Sequence, residues 1–189
     1  TSPTVEYRIE TMTGKTIVIQ SPDDFPDPST IRFIKEPVMY VSIFAPAEYV
    51  GSIMQLTQEK RSEYINLEYV GTQAKFSYLI PLSDMIIDFF DKLKSGTSGY
   101  ASLDYEFYEY RSVEAVKLEV LINRRMADAF SQIVVKDRAA AIGNKLVEKL
   151  KTLIPRHQFQ IPIQAAIGGK IVARADISSF RKDVTAKLY

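Results

Sequence analysis

Residues 71–94 read "GTQAKFSYLIPLSDMIIDFFDKLK". Ala74, Phe76, Tyr78 and Ile80 recur at every second position, the period of a strand with one buried face. Gly71-Thr72 ahead of them is a turn signal. Past Pro81 the rhythm changes, which predicts a helix over 82–94. Upstream, Ile65, Leu67 and Tyr69 alternate as a partner strand. Before that, Pro46–Glu59 reads as a helix with Tyr49, Val50, Ile53, Met54 and Leu56 inward, and Pro37–Phe44 as a strand. Downstream, Tyr100–Tyr110 reads as a strand with Ala101, Leu103, Tyr105 and Phe107 on one face. The order βαββαβ is the ferredoxin-like split sandwich, an antiparallel sheet covered on one face by two helices. This module is expected over residues 36–110.

Residues 1–35 read differently. Val5, Tyr7 and Ile9 alternate, as do Ile17 and Ile19 beyond Gly14-Lys15, which predicts a hairpin. Two strands do not make a stable domain alone, so residues 1–35 are expected to be the C-terminal end of a preceding β-containing domain. The proline-punctuated "SPDDFPDPS", Ser21 to Ser29, is expected to be a linker.

From residue 111 to residue 189 a second small α+β domain is expected, with mixed strands and two helices. Val116, Leu118, Val120 and Ile122 alternate in a strand, and Ala129–Val135 reads as another. A helix follows, halted by Pro155, with Ala139, Ile142, Leu146, Leu150 and Leu153 as its apolar stripe. Gln158–Ala166 and Lys170–Arg174 read as strands joined by Gly168-Gly169, where glycine permits positive φ. Asp176 is placed to cap a last helix with Ile177, Phe180 and Val184 inward.

The stretch "IPIQAAIGGKIVAR", Ile161 to Arg174, invites comparison with a phosphate-cradling loop. A Walker-type loop needs glycine where Gln164 stands and a Ser or Thr hydroxyl where Ile171 stands, so the nucleotide reading fails on chemistry. "SGYASLDYEFY", Ser98 to Tyr108, invites comparison with the RNP1 motif of RNA-binding modules. Gly99, Tyr100, Ala101 and Tyr105 match it, whereas Ser98 replaces a basic residue and Ser102 a stacking ring. An ordinary core strand is the expectation there.

Composition narrows the function classes. The 189 residues are 46% hydrophobic and 25% charged, enough for one or two small cores. No apolar run approaches the roughly 18 residues of a spanning helix. The start "TSPTVEYRIE" has no basic n-region or apolar h-region, so no signal peptide is expected. Zero cysteines exclude disulfides and thiolate metal sites. His157, the one histidine, has no carboxylate or nucleophile patterned beside it, so neither a catalytic nor a metal site is expected. Residues 1–110 hold 9 Lys+Arg against 16 Asp+Glu and residues 111–189 hold 15 against 7, a split of −7 and +8. The second module is therefore expected to face a polyanion. Arg138, Lys145 and Lys149 share one edge of the predicted helix. With Arg156, Lys170, Arg174, Arg181, Lys182 and Lys187 they are the expected RNA contacts.

The runs "LVEKLKTLIPRHQFQIPIQAAIGGKIVAR" and "RKDVTAKLY" resemble the C-terminal domain of the LepA, or elongation factor 4, family. "EYVGSIMQLTQEKRSEYINLEY", "IPLSDMIIDFFDKLKSGTSGYASLDYE" and "EVLIN" are similar to the same family in the same order. The resemblance implies that 36–110 is a module like the fifth domain of elongation factor G and 111–189 the LepA-specific domain. It implies a parent that is a ribosome-dependent GTPase of translation elongation, with proposed back-translocation of tRNAs and a role in fidelity under stress. GTP and Mg²⁺ would bind an N-terminal domain outside this chain, which itself carries no cofactor, and a lysine-rich tail would follow Tyr189. The implied partners of a monomer are the ribosome, through large-subunit rRNA and proteins, and tRNA. The implied location is the cytoplasm; peripheral association with the membrane's cytoplasmic face, a mitochondrion and a plastid stay open.

Several positions depart from the family. It commonly has Arg at Ser98, His-Arg at Val135-Lys136, Arg-Gly-Arg at Ile142-Gly143-Asn144, Gln at His157 and Cys at Leu188. RNA contacts that would rest on those places are in doubt. Two other readings remain open on sequence: a self-sufficient RNA-binding module, and a membrane-peripheral interaction scaffold.

Overall fold

A computed structural model of the chain describes residues 4–180. They form two units, residues 4–20 with Ile31–Val113, and Ser21–Thr30 with residues 114–180. Every strand pairing in both is antiparallel.

In the first unit the strands are β1 (Tyr7–Thr11), β2 (Thr16–Ile19), β3 (Ile31–Pro46), β4 (Glu63–Val70), β5 (Gln73–Pro81) and β6 (Ser102–Ser112). The helices are α1 (Val50–Gln58), α2 (Leu82–Met85) and α3 (Phe89–Gly96). The sheet runs β2-β1-β3-β5-β4, and β6 lies on the other side of β3. The mixed α+β architecture expected from the sequence is present, with the βαββαβ order intact. Register explains the core. Val41 faces Tyr78 and Ile43 faces Phe76, so these residues share one side of the sheet. Thr57 of α1 hydrogen-bonds the Tyr78 hydroxyl at 3.0 Å, which places α1 over that same side. Val41, Ile43, Phe76, Ile80, Ile53 of α1, and Phe89 and Leu93 of α3 are all buried.

Three details differ from expectation. The helix expected over 82–94 breaks between α2 and α3 at Ile86-Ile87-Asp88, two β-branched residues and an Asp, all weak helix formers. The Asp88 carboxylate at the start of α3 is held instead by Lys60 at 2.7 Å and Lys92 at 3.1 Å. Second, the N-terminal hairpin is hydrogen-bonded into this sheet, with Arg8 opposite Lys35 and Ile9 opposite Ile34, so β3 runs unbroken through residue 35. Third, Tyr105 and Phe107 share the core-facing side, opposite Val41 and Met39, yet are 40% and 56% exposed. β6 is an edge strand, and the reading of it as an ordinary core strand gives way to one with exposed rings.

A part-buried ionic cluster ties β3 to the segment after α1 and to α2. Arg61, just past α1, bonds Glu36 of β3 through both terminal nitrogens, one at 3.1 Å. Its backbone N–H donates to Asp84 at 2.9 Å, and its guanidinium reaches Ser83 at 3.1 Å. Burial opposes the Arg61 charge, but the Glu36 and Asp84 carboxylates outweigh burial and raise its pKa above the ordinary arginine value. Tyr7 faces the same cluster: burial and the nearby Glu36 charge push its pKa up to about 12.

The second unit consists of β7 (Ala115–Ile122), β8 (Arg125–Met126), β9 (Gln132–Val135), α4 (Ala139–Leu153), β10 (Ile161–Ile167) and β11 (Lys170–Ile177). Its sheet runs β11-β10-β7-β8, with β9 also on β7. Leu118, Val120, Val147, Leu150, Ile163, Ala165, Ala173, Ala175 and Ile177 form the core. The strand expected over 129–135 is shorter, because Asp128–Phe130 form a 3-10 turn. Leu153, expected in the helix stripe, is 66% exposed on the last turn, and Gly143 and Val147 are buried in the stripe instead. Asp176 does not cap a helix, since β11 continues through it to Ile177. Residues 178–180 are not helical either, and Phe180, expected inward, is 64% exposed; the remainder of that expected helix, including Val184, lies outside the described residues.

Candidate nucleic-acid interface

Local chemistry positions each basic side chain of the second unit. Gly168 and Gly169 have φ of 55° and 83°, so the β10–β11 link is a tight turn made by two left-handed residues. Lys170 follows it, opposite Ile167, and is exposed at the tip. Arg138 precedes α4 by one residue and comes three after Val135, which pairs with Ala115 at the start of β7. Because β7 and β10 are antiparallel, that start lies at the Gly168-Gly169 end of the ladder.

Arg156 lies at the other end. It precedes β10 by five residues, and the seven-residue ladder from Ile161 to Ile167 is about 20 Å long. Its neighbour His157 accepts, through its carbonyl, a 3.0 Å hydrogen bond from the Phe180 N–H. Lys145 and Lys149 are exposed on α4, away from Gly143 and Val147, which face the sheet. Arg174 lies on the opposite side of the sheet. Its neighbour Ala173 faces Gly143 of α4, so strand alternation turns Arg174 the other way. Both Nε and Nη2 of Arg174 bond one Asp176 oxygen at 3.1 Å. That pair is solvent-exposed and of small energetic worth.

The six described basic residues of the sequence reading thus occupy two ends and two faces of one sheet-and-helix unit. Arg138 lies at the Lys170 end of the ladder; Arg156 does not. Arg181, Lys182 and Lys187 lie outside the described residues. Two further exposed arginines, missed on sequence, stand at the Arg156 end: Arg124, in the turn between β7 and β8, and Arg125, the first residue of β8. The Asn123 N–H donates to the Pro162 carbonyl at 2.9 Å, which fixes that turn beside the start of β10. Asn123 and Arg124 have φ of 51° and 63°. Asparagine ahead of two arginines between a strand and its short partner was the available signal.

Among the described residues no helix is long and apolar enough to cross a membrane, and no group of three or more His, Cys, Asp or Glu could hold a metal ion.

Residues 122–189 match the family model described as GTP-binding protein LepA C-terminus, and residues 33–121 the one described as Elongation factor G C-terminus. The full chain is 50% identical over 190 residues to Elongation factor 4 of Agathobacter rectalis, covering 32% of it. It is 48% identical over 189 residues to Elongation factor 4 of Mycoplasmopsis pulmonis, again covering 32%, and 49% identical over 190 residues to that of Lactococcus lactis, covering 31%. The chain belongs to the LepA, or elongation factor 4, family. It spans about a third of the length of these relatives.

The elongation factor G and LepA matches meet at residues 121 and 122, inside β7, whereas the structural units part at Val113 and Glu114. The elongation factor G likeness therefore includes nearly all of the first strand of the second unit. All six described basic positions lie within the LepA-specific match.

Proposed function

We propose that this chain is the ribosome- and tRNA-facing part of a LepA-family GTPase that acts in translation. The supporting observation is its match, along its whole length, to proteins named Elongation factor 4, with the LepA-specific part carrying the basic side chains. In this reading GTP and Mg²⁺ act in a separate domain of the longer protein. The module over 36–110 takes the place of the fifth domain of elongation factor G, and that over 111–189 approaches tRNA. The parent works in the cytoplasm as a monomer, and back-translocation of tRNAs is the activity to test.

The geometry shapes what binding would look like. Cations at two ends and two faces suit an extended, curved phosphate backbone better than one compact phosphate. Ribosome and tRNA binding by this chain, measured over a salt series, tests the reading. Neutralising Arg138, Arg156, Lys170 and Arg174 together should weaken binding and flatten the slope of log K against log salt. The loss should reach roughly 0.7–0.9 per phosphate contact removed. Neutralising Arg181, Lys182 and Lys187 in a second variant measures the segment after Phe180. Unchanged slopes in both would overturn the reading.

A further inference from the structure

The first unit carries a feature that phosphate binding does not use. β6 pairs with β3 on one side only, from Lys35 opposite Ser112 to Phe44 opposite Ser102. Among the described residues no strand pairs with its other side, so the backbone groups there form a free sheet edge.

Along that edge, acids and rings alternate. Asp104 and Glu106 lie opposite Ser42 and Tyr40, on the side away from α1, while Tyr105 and Phe107 lie on the other side. All four are exposed. At the far end of the strand the same pattern is already filled by arginines of the chain itself. Arg8 sits 3.9 Å over the Tyr110 ring. Arg111 lies 5.9 Å from the Tyr108 ring and bonds Glu109 at 2.6 Å and Glu63 at 2.9 Å. At the Leu103–Phe107 end, the carboxylates of Asp104 and Glu106 have no hydrogen bond or ion pair among the described residues. The pattern is repeated without its cations.

We propose that the edge from Leu103 to Phe107 takes an extended, Lys/Arg-rich segment of another protein as an added strand. Its backbone would bond the free N–H and C=O groups of β6. Its basic side chains would meet Asp104 and Glu106 on one face, and the apolar side chains alternating with them would lie over Tyr105 and Phe107 on the other. Charge decides the occupant. Nucleic acid is repelled by the carboxylates, and a second copy of this edge would set like charges opposite each other. Acids that served only to keep the edge from aggregating would not have exposed rings interleaved with them. This docking does not use the basic side chains of the other unit, on which the proposed phosphate contacts rest.

The probe is the heptapeptide Lys-Val-Arg-Val-Lys-Val-Arg, titrated into the isotope-labelled full chain. The amides of residues 103–107 should shift and exchange more slowly with solvent. A copy N-methylated at alternate residues keeps the charge but loses the strand hydrogen bonds, and should protect nothing. Asp104→Asn with Glu106→Gln should weaken the parent peptide by roughly two- to thirtyfold. Should that variant fail to fold, the comparison of the two peptides on the unaltered chain decides alone. No shift at 103–107, equal binding of the N-methylated copy, or the same shifts with oligouridylate would each overturn the proposal.

Discussion

A Cβ built on Gly143 of α4 would sit 3.1 Å from the Cβ of Ala165 in β10, closer than ordinary side-chain contact. Ala173 of β11 would be 3.3 Å away. Neither alanine has a side-chain torsion with which to retreat. Helix and sheet meet at the smallest residues available, and the distance between these layers is set there.

Gly143→Ala should therefore lower stability despite the helix preference for alanine. Overpacking costs about 1–3 kcal/mol against about 1 kcal/mol of propensity gained. Urea unfolding of Gly143→Ala, Ala165→Gly and the double variant should show favourable coupling, with the double variant more stable than the two single effects add up to. Simple additivity would mean that the layers spread freely.

The turn at Gly168-Gly169 gives a different prediction, because space is not limiting there. No atom lies within 4 Å of a Cβ built on either glycine, so only the positive φ penalises a side chain. Gly169→Val should cost about 1–2 kcal/mol, and Gly169→Asn distinctly less, since asparagine tolerates the left-handed region. Equal losses for both in thermal unfolding would contradict this account.

Tyr7 predicts a loss of stability at high pH. Its folded pKa is raised from the ordinary 10.0 to about 12, first by burial and then by Glu36. A raised pKa means that the folded state holds the proton more tightly. The stabilisation is therefore complete below pH 10 and is lost as pH climbs towards 12. Its size is about 2–3 kcal/mol. Tyr7→Phe should flatten the stability profile over that window, leaving a smaller slope from Tyr78, whose pKa burial also raises. An unchanged profile in Tyr7→Phe would mean that Tyr7 titrates as it does in the unfolded chain.

Arg61 and Glu36 should behave as a pair. Arg61→Met leaves the Glu36 carboxylate buried beside Asp84 with its main cation gone, which should cost about 3 kcal/mol. Adding Glu36→Leu should recover part of that loss, since the uncompensated charge disappears with it. A double variant no better than Arg61→Met in urea unfolding would show that the cluster acts through its hydrogen bonds to Ser83 and Asp84.

The sequence by itself determined the order of the elements, the core faces of β5 and β7, and the family. Each is written locally: alternation at Ala74 to Ile80, at Val116 to Ile122, a helical period before Pro155, and long runs of family-specific residues. Only the tertiary structure decided which of these segments are neighbours. Residue spacing along β6 does not reveal that β6 is an edge, so Tyr105 and Phe107 read as core although little covers them. Spacing likewise shows that Arg156, Lys170 and Arg174 are close in the chain, but antiparallel register sends Arg156 to one end of the ladder and Lys170 to the other. Strand alternation then turns Arg174 to the face away from α4. The N-terminal hairpin read as the end of another domain because its partner, the Ile31–Lys35 part of β3, lies beyond a proline-rich segment. Periodicity reports the environment averaged along one element, whereas pairing and exposure depend on residues far away in sequence.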